Sequence, residues 1–194
     1  RKAFLDYWPV RAPASEPEQI YRAARWGRAL DLLVLDTRQY RAADRSTMLG
    51  RRQKDWFFDR LVNSGATFKF VATTVPMAGG GKDRWDGYPT ERVEILRYIR
   101  QKKIPGVIFM SADMHYAAVT RIPKGNGLID ITAGPLAAPL NRVTNSANSR
   151  YEFFLAENFN FAKITVDPKV NGNEALLEFI DQDNRVFYTR KIRA

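Results

Sequence analysis

Unbroken apolar runs and stretches of helical spacing alternate through the first two-thirds of the chain. "LDLLVLD" (30–36), "FKFVATTV" (68–75) and "GVIFMSAD" (106–113) are continuous apolar segments bounded by polar residues, the pattern of strands covered on both faces. After the first run, Ser46 offers an N-cap, and a helix is predicted to about Asn63, ended by Gly65. Leu49, Trp56, Phe57 and Leu61 fall on one face of it, together with Gln53, a polar group aimed inward. After the second run, Thr90 is placed to cap "ERVEILRYIRQKK", with Ile95, Leu96 and Ile99 inward and a basic last turn that complements the helix dipole. Strand–helix–strand–helix–strand predicts two right-handed crossovers and a parallel βαβαβ core.

The flanks read differently. "RKAFLDYWPVR" resembles an amphipathic helix entered part-way along, a sign of truncation; a Pro-rich linker and a short helix or turn ("QIYRAARWGRAL") follow. Beyond the third apolar run come "AAVTRI", "LIDITA", "FAKITVD", "ALLEFID" and "RVFYTRKI", short β runs that predict an antiparallel tail, the last two joined by a "DQDN" turn. Residues 134–154 are expected to form a long functional or mobile loop. The fold class is therefore α/β, one domain, with helices outside a parallel core and antiparallel strands after it.

Composition narrows the partners. The 194 residues carry a formal charge of +10, one histidine and no cysteine. Disulfides and thiolate metal ligands are excluded, and the redox compartment stays open. No apolar run approaches the ~20 residues of a membrane-spanning helix, and no leader pattern is visible. The positive charge suits phosphorylated substrates, nucleic acid or an anionic surface, but it is scattered along the whole length, which argues against nucleic acid as a dedicated partner.

Ligands in open α/β sheets bind beyond the carboxyl ends of the parallel strands. Those ends bring Asp36, Thr37 and Arg38 together with Thr73 and Thr74, and with Asp113 and His115, the only imidazole. A carboxylate and an imidazole two residues apart would share one side of a continuing strand. Three roles stay open for them: metal ligands, a general acid–base pair, or a structural hydrogen-bonded pair. The loop "GGGKDRWDGYPTER" (79–92) adds Arg84, Trp85, Asp86 and Tyr88, either as a wall for phosphate or as pins holding a long loop to the core. It has no G-x-x-x-x-G-K-[ST] pattern.

Five segments in order, "YRAARWGRALDLLVLDTRQYR", "MLGRRQKDWFFDRLVNSGATFKFVATTVPM", "DRWDGYPTER", "VIFMSADMHYAAV" and "LIDITAGPLAAP", resemble the alkaline phosphatase D family of calcineurin-like metallophosphoesterases. The resemblance implies two face-to-face β-sheets with helices outside. It also implies metal-dependent hydrolysis of phosphate mono- or diesters, with calcium and iron as cofactors and a secreted or periplasmic location. Asp113 and His115 would carry over as late-sequence metal ligands. Ala112 departs from the usual glycine before them. Arg38, Arg84, Trp85, Asp86 and Tyr88 would sit near the substrate. The early ligand segments have no counterpart here, so the chain is expected to be the C-terminal portion of a catalytic domain, partnered by an absent N-terminal half and inactive alone. A non-catalytic phosphate- or nucleic-acid-binding module is the alternative, and a carbohydrate-binding β domain has only the antiparallel tail in its favour.

Overall fold

The computed structural model describes residues 2–79, 81–141, 150–167 and 173–194. The three apolar runs form β2 (Leu30–Val34), β3 (Phe68–Ala72) and β4 (Val107–Ser111), which pair in parallel as expected. Helices α2 (Gly50–Val62) and α3 (Pro89–Gln101) connect them, and a short helix, α1 (Lys2–Tyr7), opens the chain.

Four other strands join the same sheet. β1 (Arg22–Trp26) pairs antiparallel with β2, where the sequence predicted a helix or turn. All five of its residues are exposed, so it shows no apolar alternation and is a strand only because β2 offers it a ladder. β5 (Ala117–Arg121) and β6 (Ile129–Thr132) pair antiparallel with each other, but β6 also pairs in parallel with β4, against the expected antiparallel tail. β7 (Tyr151–Leu155) lies inside the predicted loop 134–154 and pairs with β5; residues 142–149 of that loop lie outside the described residues. The strand order is β1-β2-β3-β4-β6-β5-β7.

β8 (Asn160–Val166), β9 (Glu174–Asp181) and β10 (Val186–Arg193) make a second, antiparallel sheet in the order β10-β9-β8, with the predicted turn between β9 and β10. Ala175, Leu177, Phe179 and Ile192 of this sheet pack on Phe68, Phe70, Ile108 and Ile131 of the large one. The other face of the large sheet buries Leu33, Val71 and Phe109 against Phe57, Leu61, Ile95, Leu96 and Ile99 of the helices. Each of the buried Val, Leu, Ile and Phe side chains contributes roughly 1.5–3 kcal/mol. The two-sheet, helix-flanked architecture follows directly from these two clusters.

The small sheet does not reach across the whole of the large one. Leu30, Leu32 and Val34 are only half-buried, where the sequence predicted a strand covered on both faces. Trp26, Leu30, Leu32, Phe70, Met110, Ile164 and Val166 line an apolar trough of about 540 Å³ there. β8 is the terminal strand of its sheet on this side among the described residues.

The helix starts were misread locally. Ser46 hydrogen-bonds Asp44 instead of capping α2. The N-terminal end of α2 is held by the buried carboxylate of Glu91, which accepts from the Met48 and Leu49 N–H groups (2.6 and 3.2 Å) and the Thr47 hydroxyl (2.6 Å). Thr47 in turn accepts from the Gly50 N–H at 2.8 Å. Thr90 likewise lies inside α3, which begins on Pro89, a residue preset for that position. Glu91→Ala strands two buried N–H donors, so it is expected to lower stability by about 3 kcal/mol. The urea midpoint of the variant checks this; a midpoint equal to wild type would refute the assignment.

Candidate metal centre at the parallel strand ends

The register sets the ends of four parallel strands level: Val34 pairs with Ala72, Ala72 with Met110, and Ser111 with Thr132. The segments leaving these ends therefore meet along one edge, as predicted for three of them; β6 adds the fourth, through Gly134 and Pro135. The Thr37 and Thr74 hydroxyls hydrogen-bond each other and join the first two.

Buried polar groups fix each departing segment. Gln53 accepts from the Asp36 N–H at 2.7 Å and donates to its carbonyl at 2.8 Å, so the inward polar residue on α2 clamps the chain leaving β2. Asp36 then accepts from the Arg38 and Gln39 N–H groups at 3.0 and 3.1 Å, which turns the chain and aims Arg38 along the edge. Asp130, wholly buried in β6, accepts from the Met77 N–H and the Ser111 hydroxyl, both at 2.6 Å. Burial pushes its carboxyl up to about 6, against the lowering effect of those two hydrogen bonds. Asn160 of β8 exchanges two hydrogen bonds with Gly134, at 2.9 and 3.0 Å, and ties the small sheet to the end of β6.

Asp113 and His115 both line a cleft of about 550 Å³ whose other walls include Met110, Leu136, Asn160, Phe161 and Ile164. They do not share a side by strand alternation, because β4 ends at Ser111. Both instead adopt left-handed backbone, with φ of +72° and +59°. Aspartate and histidine are among the residues that tolerate this region best. Ala112 is not left-handed, so the alanine in place of glycine fits without strain.

His115 Nδ1 lies 2.6 Å from the Pro139 carbonyl. A carbonyl only accepts, so Nδ1 carries the proton and Nε2 keeps its lone pair for a cation or a proton. Asn141 braces the same turn, its side-chain amide donating to the Met114 carbonyl at 3.0 Å and its N–H to the His115 carbonyl at 3.2 Å. Arg38 approaches from β2, with Nη2 3.9 Å from Asp113 Oδ1. The edge thus brings together Asp113, His115 and Arg38.

The 79–92 loop divides its side chains otherwise. Trp85 has no exposed surface, and its indole donates to the Thr73 hydroxyl at 3.0 Å, so of the two roles left open for it this geometry is that of a pin holding the loop to the core. Tyr88 is also buried, with Arg41 lying 5.7 Å over its ring. Asp86 accepts from Arg92 and from the Gly79 N–H, while Arg84 donates to the Gly79 carbonyl at 3.1 Å. These four residues fold the loop on itself and pin it to the core. At Gly87 a side chain would strike the Lys82 carbonyl, which makes glycine obligatory in that fold.

Sequence reasoning passed over Asn141, Asp130 and Asp83, the last an acceptor for Arg38 and Arg41. Asp130 had a signal, a charge in the middle of the apolar "LIDIT" run. The others are loop residues whose partners are remote in sequence, and no spacing rule reaches them.

A sheet with a parallel core, backed by an antiparallel one, carries a carboxylate and an imidazole in a cleft at its parallel strand ends, the frame of an α/β protein with its site at that edge. A PhoD-like phosphatase family model matches residues 1–171, and the chain belongs to that family. It is 29% identical to alkaline phosphatase D of Bacillus subtilis (strain 168) over 143 residues, 59% of this chain and 24% of that protein. Its fold matches the solved structure of PhoD with a TM-score of 0.78 at 19% identity, covering 99% of this chain and 44% of that one. GAP50, the anchor in the inner membrane complex of Plasmodium, shares the fold more distantly (TM-score 0.54, 14% identity, 89% and 53% covered). The chain therefore spans about a quarter of its curated relative and under half of the solved PhoD chain. No helix among the described residues is long and apolar enough to cross a membrane.

The raised carboxyl of Asp130 has a signed consequence. The folded state holds this proton more tightly than the unfolded chain, whose carboxyl titrates near about 4. Its contribution to stability is fully present below that pH and is lost as pH rises through about 6. Asp130→Asn is expected to remove this loss, so variant minus wild-type stability should rise between pH 4 and 6. Urea unfolding across that range measures it; a flat difference would contradict the assignment.

Proposed function

We propose that this chain supplies one wall of the active site of a metal-dependent phosphoesterase acting on phosphate mono- or diesters. The observation that carries the reading is the pairing of Asp113 with His115 in one cleft, His115 being held so that Nε2 is available. Of the metals the family resemblance implies, the Asp113 carboxylate suits calcium or iron and the His115 imidazole suits iron. They fit a metal site in part: the described residues contain no group of three or more candidate ligands. A bound metal would polarise the phosphoryl group and activate a water. On this reading Asp113 and His115 orient that metal, and Arg38 presents a charge-assisted donor to a phosphoryl oxygen.

The remaining ligands then belong to polypeptide outside this chain, which we assign to an N-terminal portion of the same domain. The trough beneath β1 and β2 and the terminal position of β8 support this, since added strands beside β8 would cover Leu30, Leu32 and Met110. The exported location implied by the resemblance belongs to the same proposal. The shortage of ligands also favours a second reading, a non-catalytic phosphate-binding module.

A chromogenic phosphate ester separates the two. With calcium and iron present, a full-length protein should turn over while residues 1–194 alone do not. His115→Ala in the full-length protein should lose more than about 100-fold, since that is the upper range for groups that merely support a ligand. Turnover by the short chain would refute the split site, and an inactive full-length protein would favour the module. The uncovered trough also predicts that the isolated chain self-associates. Light scattering should show its mass rising with concentration, and a constant monomer mass would count against the missing cover.

A further inference from the structure

Asp83 is a carboxylate that the folding of the 79–92 loop leaves unused. It faces two arginines from the segment after β2. Arg41 is the fixed one: its Nε donates to the Thr37 carbonyl at 2.5 Å, its guanidinium lies over Tyr88, and only 14% of its side chain is exposed. It grips Asp83 twice, through Nη1 on the carboxylate and Nη2 on the backbone carbonyl at 3.0 Å. Arg38 is the more exposed one, with half of its side chain open to solvent. Its Nη1 donates to both Asp83 oxygens at 3.0 and 3.2 Å, and its Nη2 lies 3.9 Å from Asp113. Desolvation opposes ionisation of Asp83, but the hydrogen bonds from Arg41 and Arg38 outweigh it and hold the carboxyl below the usual range.

An exposed ion pair of this kind adds little stability. What it changes is where Arg38 spends its time. A free arginine carries about 2 kcal/mol of rotamer entropy, part of which a bound phosphate would otherwise have to remove. Asp83 takes Nη1 and leaves Nη2 facing the carboxylate edge of the cleft. It also competes with Asp113 for the guanidinium, which keeps that carboxylate available.

We propose that Asp83, braced by Arg41, is a positioning residue that presets the Arg38 guanidinium beside Asp113 to receive a phosphoryl oxygen of the substrate. The assignment rests on the phosphoesterase reading above. It predicts an effect on substrate binding more than on the chemical step.

The test uses the full-length protein, with 4-nitrophenyl phosphate and bis(4-nitrophenyl) phosphate as probes. Asp83→Asn should raise KM on the hydrolysed ester about tenfold, the scale of a lost charge-assisted contact, with kcat within about twofold. Inhibition by inorganic phosphate should weaken by the same factor. Arg38→Ala should act alike, and combining the two should add little, because both disable one device. Asp83→Glu should recover part of the lost affinity, with the unfolding midpoint unchanged in every variant. An unchanged KM in Asp83→Asn, a loss confined to kcat, or additive effects would overturn the assignment alone. Absence of turnover by the wild-type protein would overturn the phosphoesterase reading and this assignment with it.

Discussion

Four parallel strands ending at one level leave backbone donors and acceptors that no further strand can satisfy, and the structure answers this need with side chains drawn from elsewhere in the chain. Gln53 from α2 takes both backbone groups of Asp36. Asp130 from β6 takes the Met77 N–H, and Asn160 from β8 takes both backbone groups of Gly134. Buried polar groups are tolerated only when paired, so each clamp fixes the direction in which its segment leaves the sheet. The cleft is the space these fixed departures enclose. Its chemistry depends on that scaffold before it depends on any ligand.

The same requirement explains why Asp113 and His115 sit as they do. A strand cannot turn the Asp113 and His115 side chains into one cleft and also carry the chain onward to β5 without leaving the extended region. The turn does this with two left-handed residues, a local strain of about 1–3 kcal/mol each in general. Around it, Asn141 and the Pro139 carbonyl accept or donate at both ends of the turn. One of these contacts also selects the histidine tautomer. Backbone conformation, bracing and tautomer are thus set by the same few residues.

How much of this could be seen in the sequence follows from where each signal resides. The runs 30–36, 68–75 and 106–113 announced their strands because interior strands need continuous apolar character, and Ile95, Leu96 and Ile99 announced an inward helix face. The meeting of Asp113, His115 and Arg38 followed from the strand-end rule alone. β1 stayed hidden because a fully exposed edge strand carries no apolar period. The caps were misplaced because Glu91 caps α2 from 42 residues away, where Ser46 looked sufficient locally. β6 lies between β4, with which it pairs in parallel, and β5, with which it pairs antiparallel, a placement written in no single segment.

The 79–92 loop shows why residue type is a weak guide to role when a loop must also fold. Arginine, aspartate and the two aromatic residues all look placed to line a phosphate site, with only the arginine able to bind the anion directly, yet a long glycine-rich loop has to acquire its own order before it can bind anything. Trp85 and Tyr88 supply burial, and Asp86 with Arg92 supplies internal pairing. What distinguishes Arg38 is that its segment is already turned by the Asp36 carboxylate, so its side chain is not needed to hold the fold. A charged group stays open to solvent when other groups have taken over the structural work around it, and on this edge that leaves Arg38 half exposed while Arg41 is held against Thr37 and Tyr88.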